Sequence, residues 1–361
     1  MNPHIAIILP PREQYSAQYK GAVALCMADF TRHSAFQAQT VIIGSTEADF
    51  GELHYVQLRH WKQWYLRDSY AYARACARWI REYGHGITHV EVQNRPLIFR
   101  YLVELLPKNI QMYLHFHNDS QTMQGARHIA DRKWLAEHAA GIYCVSEYIR
   151  QQFLTGLITG QNKVHTVHNG IDTSTHVPQV KNRSIVYVGR IIQEKGALPL
   201  AEAFTFIAPH YPDWHFVVCG VDRFEMVSDY ERATHAYLSR LGEQCHYTGY
   251  IDHAAVMQQF CQAAIAVIPS VWQEPFGRTV LEAMTGGAAV VTSGFGGIAE
   301  VIGDAGQLVR PLTAQRLADA LELLLKNDEL LHDKQHQARA RAVAKFDIRL
   351  VAAQLDNLRR L

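Results

Sequence analysis

No apolar run in the 361-residue sequence approaches the roughly 20 residues that a membrane-crossing helix needs. The N-terminus has no basic stretch, and Ile5 to Leu9 is too short for the apolar core of a secretory signal. The six cysteines (Cys26, Cys76, Cys144, Cys219, Cys245, Cys261) show no paired spacing and sit among apolar neighbours. That excludes a disulfide framework or a zinc site and suits thiols in a reducing compartment. The expectation is a cytoplasmic protein that touches the inner face of the membrane at most peripherally. Charge of one sign is also missing: the formal net charge is +1, so nothing global argues for nucleic acid. No Asp-x-Asp occurs, and no His/Cys/Glu cluster has metal-ligand spacing, so no metal is expected. After Leu9 there is no Gly-x-Gly-x-x-Gly, which argues against a nicotinamide enzyme.

What is present is a globular composition, 48% hydrophobic and 19% charged, in a chain long enough for two domains. Ile5 to Leu9 is an apolar run of strand length that stops at Pro10-Pro11. Similar runs recur at Val41–Ile43, His54–Leu58, Thr88–Val92, Met112–Phe116, Ile142–Val145 and Val164–Val167, with helical stretches between. Strands apolar on both faces and alternating with helices predict a parallel sheet covered on both sides. Thr173 to Arg183 is polar and aperiodic, carries Pro178, and reads as a linker. The plan then repeats at Ser184–Val188, Trp214–Cys219, Cys245–Tyr247, Ile265–Ile268, Ala289–Thr292 and Leu308–Val309. The fold class is therefore α/β, with two doubly wound, Rossmann-like domains facing a cleft. The divisions expected are 1–172, a linker over 173–183, 184–340, and a C-terminal helix over 341–361 that crosses back to the first domain.

The densest chemistry lies at Glu274-Pro275-Phe276-Gly277-Arg278-Thr279-Val280-Leu281-Glu282, where a buried strand gives way to a helix. Pro275 suits a helix's first turn, and the N–H groups of that turn form an anion site. Eight helical residues rise about 12 Å, which separates Glu274 at the helix mouth from Glu282 two turns down. A long ligand with phosphates in the middle fits such a spacing. The bland alternative is an amphipathic helix with a carboxylate near its positive end. Upstream, strand Ser184–Val188 runs into Gly189-Arg190, followed by Glu194-Lys195-Gly196. Arg190 offers a fork and Lys195 a point charge, the pair that a diphosphate needs.

Gly-Arg…Glu-Lys-Gly followed by Glu-x₇-Glu resembles the family 4 retaining glycosyltransferases of the GT-B fold. The likeness extends to His168-Asn169-Gly170-Ile171-Asp172 and to Gly296-Gly297-Ile298-Ala299-Glu300-Val301. It implies that Arg190 and Lys195, after Gly189, bind the donor diphosphate. It further implies that Glu274 contacts the donor hexose, that Phe276 and Gly277 present backbone N–H groups, and that Glu282 holds the ribose. Gly296 and Gly297, with Thr292 and Ser293 before them, would line the donor site, and Ile251 would lie at the base. His117 would steady positive charge at the reacting carbon, with His117 and Asn118 at the end of a strand whose alternation puts His115 and His117 on one face. In the first loop the family shows Gly-Gly. This chain has only Lys20-Gly21-Ala22, so Lys20 and Gly21, together with Asn118, are the acceptor-side candidates.

The activity implied is transfer of a hexose or N-acetylhexosamine from a nucleoside diphosphate sugar, a UDP-sugar by preference, without cofactor or metal. Pro-Pro-Arg…Gly-Ala and Leu-His-Phe-His-Asn resemble a subgroup acting on lipopolysaccharide core or related surface glycans. A nucleotide-sugar epimerase and a non-catalytic glycan-assembly scaffold stay open as alternatives. Arg59 to Tyr83 is both aromatic and basic, with apolar residues at helical spacing. It reads as a helix packed on the sheet or, more sharply, as a membrane contact or a groove for a phosphorylated lipid-linked acceptor.

Overall fold

A computed structural model describes residues 3–16, 21–58, 69–221 and 227–359. Two compact units emerge, one of residues 1–170 with 348–361, the other of residues 171–347.

In the first unit the apolar runs become β1 (Ile5–Ile8), β2 (Thr40–Gly44), β3 (Tyr55–Gln57), β4 (His89–Gln93), β5 (Gln111–Phe116), β6 (Gly141–Cys144) and β7 (Val164–Thr166). They form one parallel sheet in the order β3-β2-β1-β4-β5-β6-β7. β1, β2 and β4 are buried along their whole length, because helices cover both faces and leave no side for polar alternation. Ile5, Ile7 and Ile42 pack in one core with Ala24, Leu25 and Ala28 of helix Ala22–His33. The same core includes Ile348, Val351, Ala352 and Leu355 of the last helix, Ile348–Arg359.

The second unit contains β8 (Asn182–Val188), β9 (His215–Cys219), β10 (Cys245–Gly249), β11 (Ala263–Ile268), β12 (Ala289–Thr292) and β13 (Gln307–Leu308). Their order is β10-β9-β8-β11-β12-β13, again all parallel. Both sheets are doubly wound and Rossmann-like, with the order reversing between β1 and β4 and between β8 and β11. Ligands of such sheets bind beyond the carboxyl ends of the strands at that reversal.

Two boundaries differ from the sequence reading. The stretch over 173–183 is not a free linker but belongs to the second unit, where β8 already begins at Asn182. Residues 341–361 are not one helix. Helix Asp328–Phe346 ends at Asp347, whose extended backbone (φ −58°, ψ 131°) breaks the run, and whose carboxylate accepts from Thr173 Oγ1. Only Ile348–Arg359 joins the first unit. Of Arg59 to Tyr83, residues 59–68 lie outside the described residues, and the remainder is helix Ser69–Tyr83. Tyr72, Cys76 and Ile80 are buried, whereas Tyr83 is 66% exposed, so the inward face is narrower than the apolar spacing suggests. All six cysteines are free thiols and five are buried. Among the described residues no helix is long and apolar enough to cross a membrane.

Candidate active site

In the second unit, β8 and β11 are neighbours at the reversal of strand order, and each releases its chain into a loop at its carboxyl end. After β8 come Gly189 and the exposed Arg190, whose carbonyl accepts from Tyr187 Oη at 2.8 Å. A short turn, Gln193–Lys195, then leads through Gly196 into helix Ala197–Ile207. Gly196 has φ 70°, and a Cβ there would stand 2.1 Å from the Pro269 carbonyl oxygen just past β11. Only glycine lets the two loops meet so closely. Val271 N–H donating to the Glu194 carbonyl at 2.9 Å stitches them further. The Glu-Lys-Gly turn is thereby pressed onto the end of β11, which brings Lys195 to Glu274. Nζ lies 2.5 Å from Oε1, and Ser270 Oγ donates to the same oxygen at 2.7 Å. Lys195 Nζ also stands 5.8 Å from the centre of the exposed Trp272 ring.

The helix carrying the second glutamate starts later than the sequence suggests. It spans Arg278–Thr285, with Gly277 as its N-cap at φ 95°, so Pro275 and Glu274 precede it. The left-handed turn at Gly277 breaks the helical phase, and the Glu274 backbone is taken up elsewhere. Glu274 forms an isolated bridge to Gly296, and its carbonyl accepts from Gly297 N–H at 2.7 Å. Glu282 is 6% exposed, and its Oε1 accepts from His253 Nε2 at 2.9 Å and from Arg278 Nε at 3.0 Å. Burial alone would raise its carboxyl pKa, but His253 and Arg278 outweigh burial and hold it below the ordinary value. Both partners take the same oxygen, and Glu282 does not itself line the recess that the neighbouring loops form.

Gly189, Arg190, Lys195, Glu274 and Gly277 thus line one recess of about 240 Å³, together with Ser270, Arg278 and Thr279. Other residues singled out from the sequence lie off its wall. Thr292 and Ser293 are fully buried, and their hydroxyls donate to the carbonyls of Ile268 and Ser270. They hold loops together instead of lining the recess. Phe276 is buried against Phe346, with ring centres 6.0 Å apart. Ile251 is half-buried past β10, and Gly296 and Gly297 act through the backbone of Glu274. Ser270, Arg278 and His253 were missed by sequence reading. Arg278 had a signal, since it stands four residues before Glu282 on the same helix face.

In the first unit His117 follows β5, and its Nε2–H donates to Gln93 Oε1 at 2.9 Å, while Asn94 Oδ1 accepts from its backbone N–H at 3.1 Å. His115 and His117 share a face, with parallel rings 6.4 Å between centres. Burial, with His115 adding repulsion, pushes the His117 imidazolium down to about 3, so its ring is neutral at physiological pH. Beneath them Glu91, fully buried, lies 3.2 Å from His115 Nε2 and is gripped by Arg359 of the last helix at 2.7 and 3.2 Å. Asn118 is exposed. Lys20 lies outside the described residues. Gly21 caps helix Ala22–His33, and there Glu13 Oε1 already accepts from the N–H groups of Val23 and Ala24, at 3.1 and 3.2 Å. Arg74, Arg78, Trp79 and Tyr83 border a separate recess of about 580 Å³ in this unit.

Two family profiles match the chain, Glycosyltransferase Family 4 over residues 32–175 and Glycosyl transferases group 1 over residues 173–341. The chain belongs to the family 4 glycosyltransferases of the GT-B fold. It is 24% identical to spore coat protein SA of Bacillus subtilis over 360 residues, 93% of this chain and 92% of that protein. The crystal structure of Anabaena Alr3699/HepE in complex with UDP superposes with a TM-score of 0.79 at 17% identity, covering 99% of this chain and all of that one. The apo form of the lipopolysaccharide outer core galactosyltransferase WaaB gives 0.70 at 16% identity, with 98% of each chain covered. The protein is a glycosyltransferase, an enzyme that transfers a sugar.

Proposed function

We propose that the protein transfers a hexose or N-acetylhexosamine, with retention of configuration, from a UDP-sugar to a bacterial surface glycan such as lipopolysaccharide core. The observation that carries this reading is the gathering of Arg190, Lys195 and Glu274 at the crevice between β8 and β11. Two cations meet the diphosphate and a carboxylate meets the sugar hydroxyls, while Glu282, off the recess wall, is assigned to the ribose. Uridine as base and lipopolysaccharide core as acceptor are favoured by the likeness to the UDP complex and to the galactosyltransferase. His117 is the group of the first unit assigned to the reacting sugar, with Lys20, Gly21 and Asn118 on the acceptor side. The arginine-lined recess on helix Ser69–Tyr83 is assigned to a peripheral contact with the anionic inner face of the membrane.

In the reaction, the bond from the anomeric carbon to the diphosphate oxygen breaks. The acceptor oxygen then bonds to the same face and gives its proton to the departing phosphate oxygen. Arg190, Lys195 and the N-terminus of helix Arg278–Thr285 stabilise the charge that develops on the leaving group, so neither metal nor cofactor is required. The test incubates the protein with UDP-, GDP- and ADP-sugars and lipopolysaccharide core, with and without chelator, and reads product configuration by NMR. An α-linked product from an α-linked donor, formed equally with chelator present, is expected. Inversion, or activity restored only by added magnesium or manganese, would overturn the corresponding part of the reading. Sugar isomerisation without transfer would assign an epimerase, and no turnover with any donor would leave a scaffold.

A further inference from the structure

In the free site Lys195 and Glu274 spend their charges on each other, with 2.5 Å between Nζ and Oε1 and side chains 25% and 12% exposed. The two partners are not equally free to move. The Glu274 backbone is fixed by its bridge to Gly296 and its bond from Gly297 N–H, and its side chain accepts from the fully buried Ser270. Lys195 ends a single turn on a four-carbon stem that lies beside an exposed tryptophan ring. When a diphosphate arrives, only the lysine can go to it. Glu274 is then left in a largely enclosed place with Ser270 as its remaining donor.

We propose that this pair is a latch by which the site tells the sugar-bearing donor from the spent nucleotide. The proposal rests on the assignment of Lys195 to diphosphate and Glu274 to sugar. A nucleoside diphosphate sugar supplies hydroxyl donors to Glu274 as it draws Lys195 away, so the carboxylate changes partners without being stranded. A bare nucleoside diphosphate draws the same lysine and supplies nothing. Leaving a mostly buried carboxylate short of donors is costly, and that cost weakens the hold on the spent nucleotide alone. Once the sugar has been transferred, Lys195 returns to Glu274 and the nucleotide leaves. The carboxylate thus serves product release, a step that limits turnover in many enzymes.

The test measures calorimetric affinities for UDP and for the UDP-sugar that binds best, on the wild type, Glu274→Gln, Lys195→Met and the double variant, each checked for folding by its melting curve. Glutamine keeps the shape and the Ser270 contact but removes the charge that ties up Lys195. In Glu274→Gln the affinity for UDP should rise about ten-fold while that for the UDP-sugar does not, reversing the preference. Plain repulsion between Glu274 and the diphosphate would also tighten UDP, but it would persist without Lys195. The latch requires that Glu274→Gln no longer tightens UDP in the Lys195→Met background. Unchanged or weaker UDP binding in folded Glu274→Gln overturns the proposal, as does tightening that survives the loss of Lys195. A wild type that binds neither ligand, or Lys195→Met that binds UDP like the wild type, refutes the underlying assignment instead.

Discussion

Replacing Arg359 by Met should destabilise the first unit severely, though only two residues follow it in the sequence. Its guanidinium is 1% exposed and holds the fully buried Glu91 through Nε at 2.7 Å and Nη2 at 3.2 Å. It also donates to Asp356 at 2.8 Å and to Ser34 at 3.2 Å. Methionine keeps most of the stem but strands Glu91 with His115 alone, and removing one partner of a buried ion pair costs about 3–5 kcal/mol. The unit holds residues 1–170 and 348–361, which is 184 residues (170 + 14). At roughly 2–4 °C per kcal/mol for that size, its Tm should fall by about 6–20 °C. Replacing both Glu91 and Arg359 by Met leaves no stranded charge and should recover most of the loss. The pH dependence has a definite sign. Burial alone would raise the Glu91 pKa, but Arg359 and His115 bring it well below the ordinary carboxylate value. Stability from a depressed carboxylate is complete above its unfolded-state pKa, about 4.3, and is lost as pH falls through the folded-state value. The gap between wild type and Arg359→Met should therefore be full at pH 7 and shrink in acid. Scanning calorimetry on the three proteins measures this. A single variant within 1 kcal/mol of wild type at neutral pH, or a double variant no better than the single, would refute the reasoning.

Arg190→Ala should weaken UDP binding by about 1.5–3 kcal/mol in calorimetry, the range of a charge-assisted contact, with the fold intact because the residue is exposed. Glu282→Gln should raise KM for the donor with kcat less affected, because a ribose contact serves ground state and transition state alike; steady-state kinetics with an unchanged KM would contradict the ribose assignment. His117 should stay neutral through the physiological range, since its imidazolium is pushed down to about 3. An NMR titration that protonates this ring between pH 6 and 7 would show that its surroundings are more open than the geometry indicates.

Much of the fold could be read from the sequence because both sheets are parallel and covered on two sides. A strand such as Ile5–Ile8 or Ala263–Ile268 has no polar face to blur its run. The Gly-Arg and Glu-Lys-Gly stretches were legible too, since only glycine fits where an added Cβ would stand 2.1 Å from a neighbouring carbonyl oxygen. What stayed hidden depends on contacts between distant residues. Nothing near Lys195 announces that Glu274, 79 positions on, neutralises it. Arg359, in a Leu-Arg-Arg-Leu ending, looks like an ordinary solvated charge, and only the path of the last helix over the sheet turns it into the partner of Glu91. The helix start was misplaced by three residues because Pro275 suits a first turn, whereas the left-handed backbone of Gly277 delays the helix to Arg278. The break at Asp347 was missed because no proline or glycine marks it.

The return of residues 348–361 to the first unit also sets an order of birth. The second unit, residues 171–347, is contiguous and is fully synthesised before the last strip of the first unit leaves the ribosome. Until then the nascent first unit carries an uncovered apolar stripe where Ile348, Val351, Ala352 and Leu355 will lie, and a Glu91 with no guanidinium to face. Domains that come first along a chain usually fold first during translation. Here the earlier unit is finished last, and a nascent chain halted at residue 347 should present a protease-resistant second unit beside a first unit that is still cleaved.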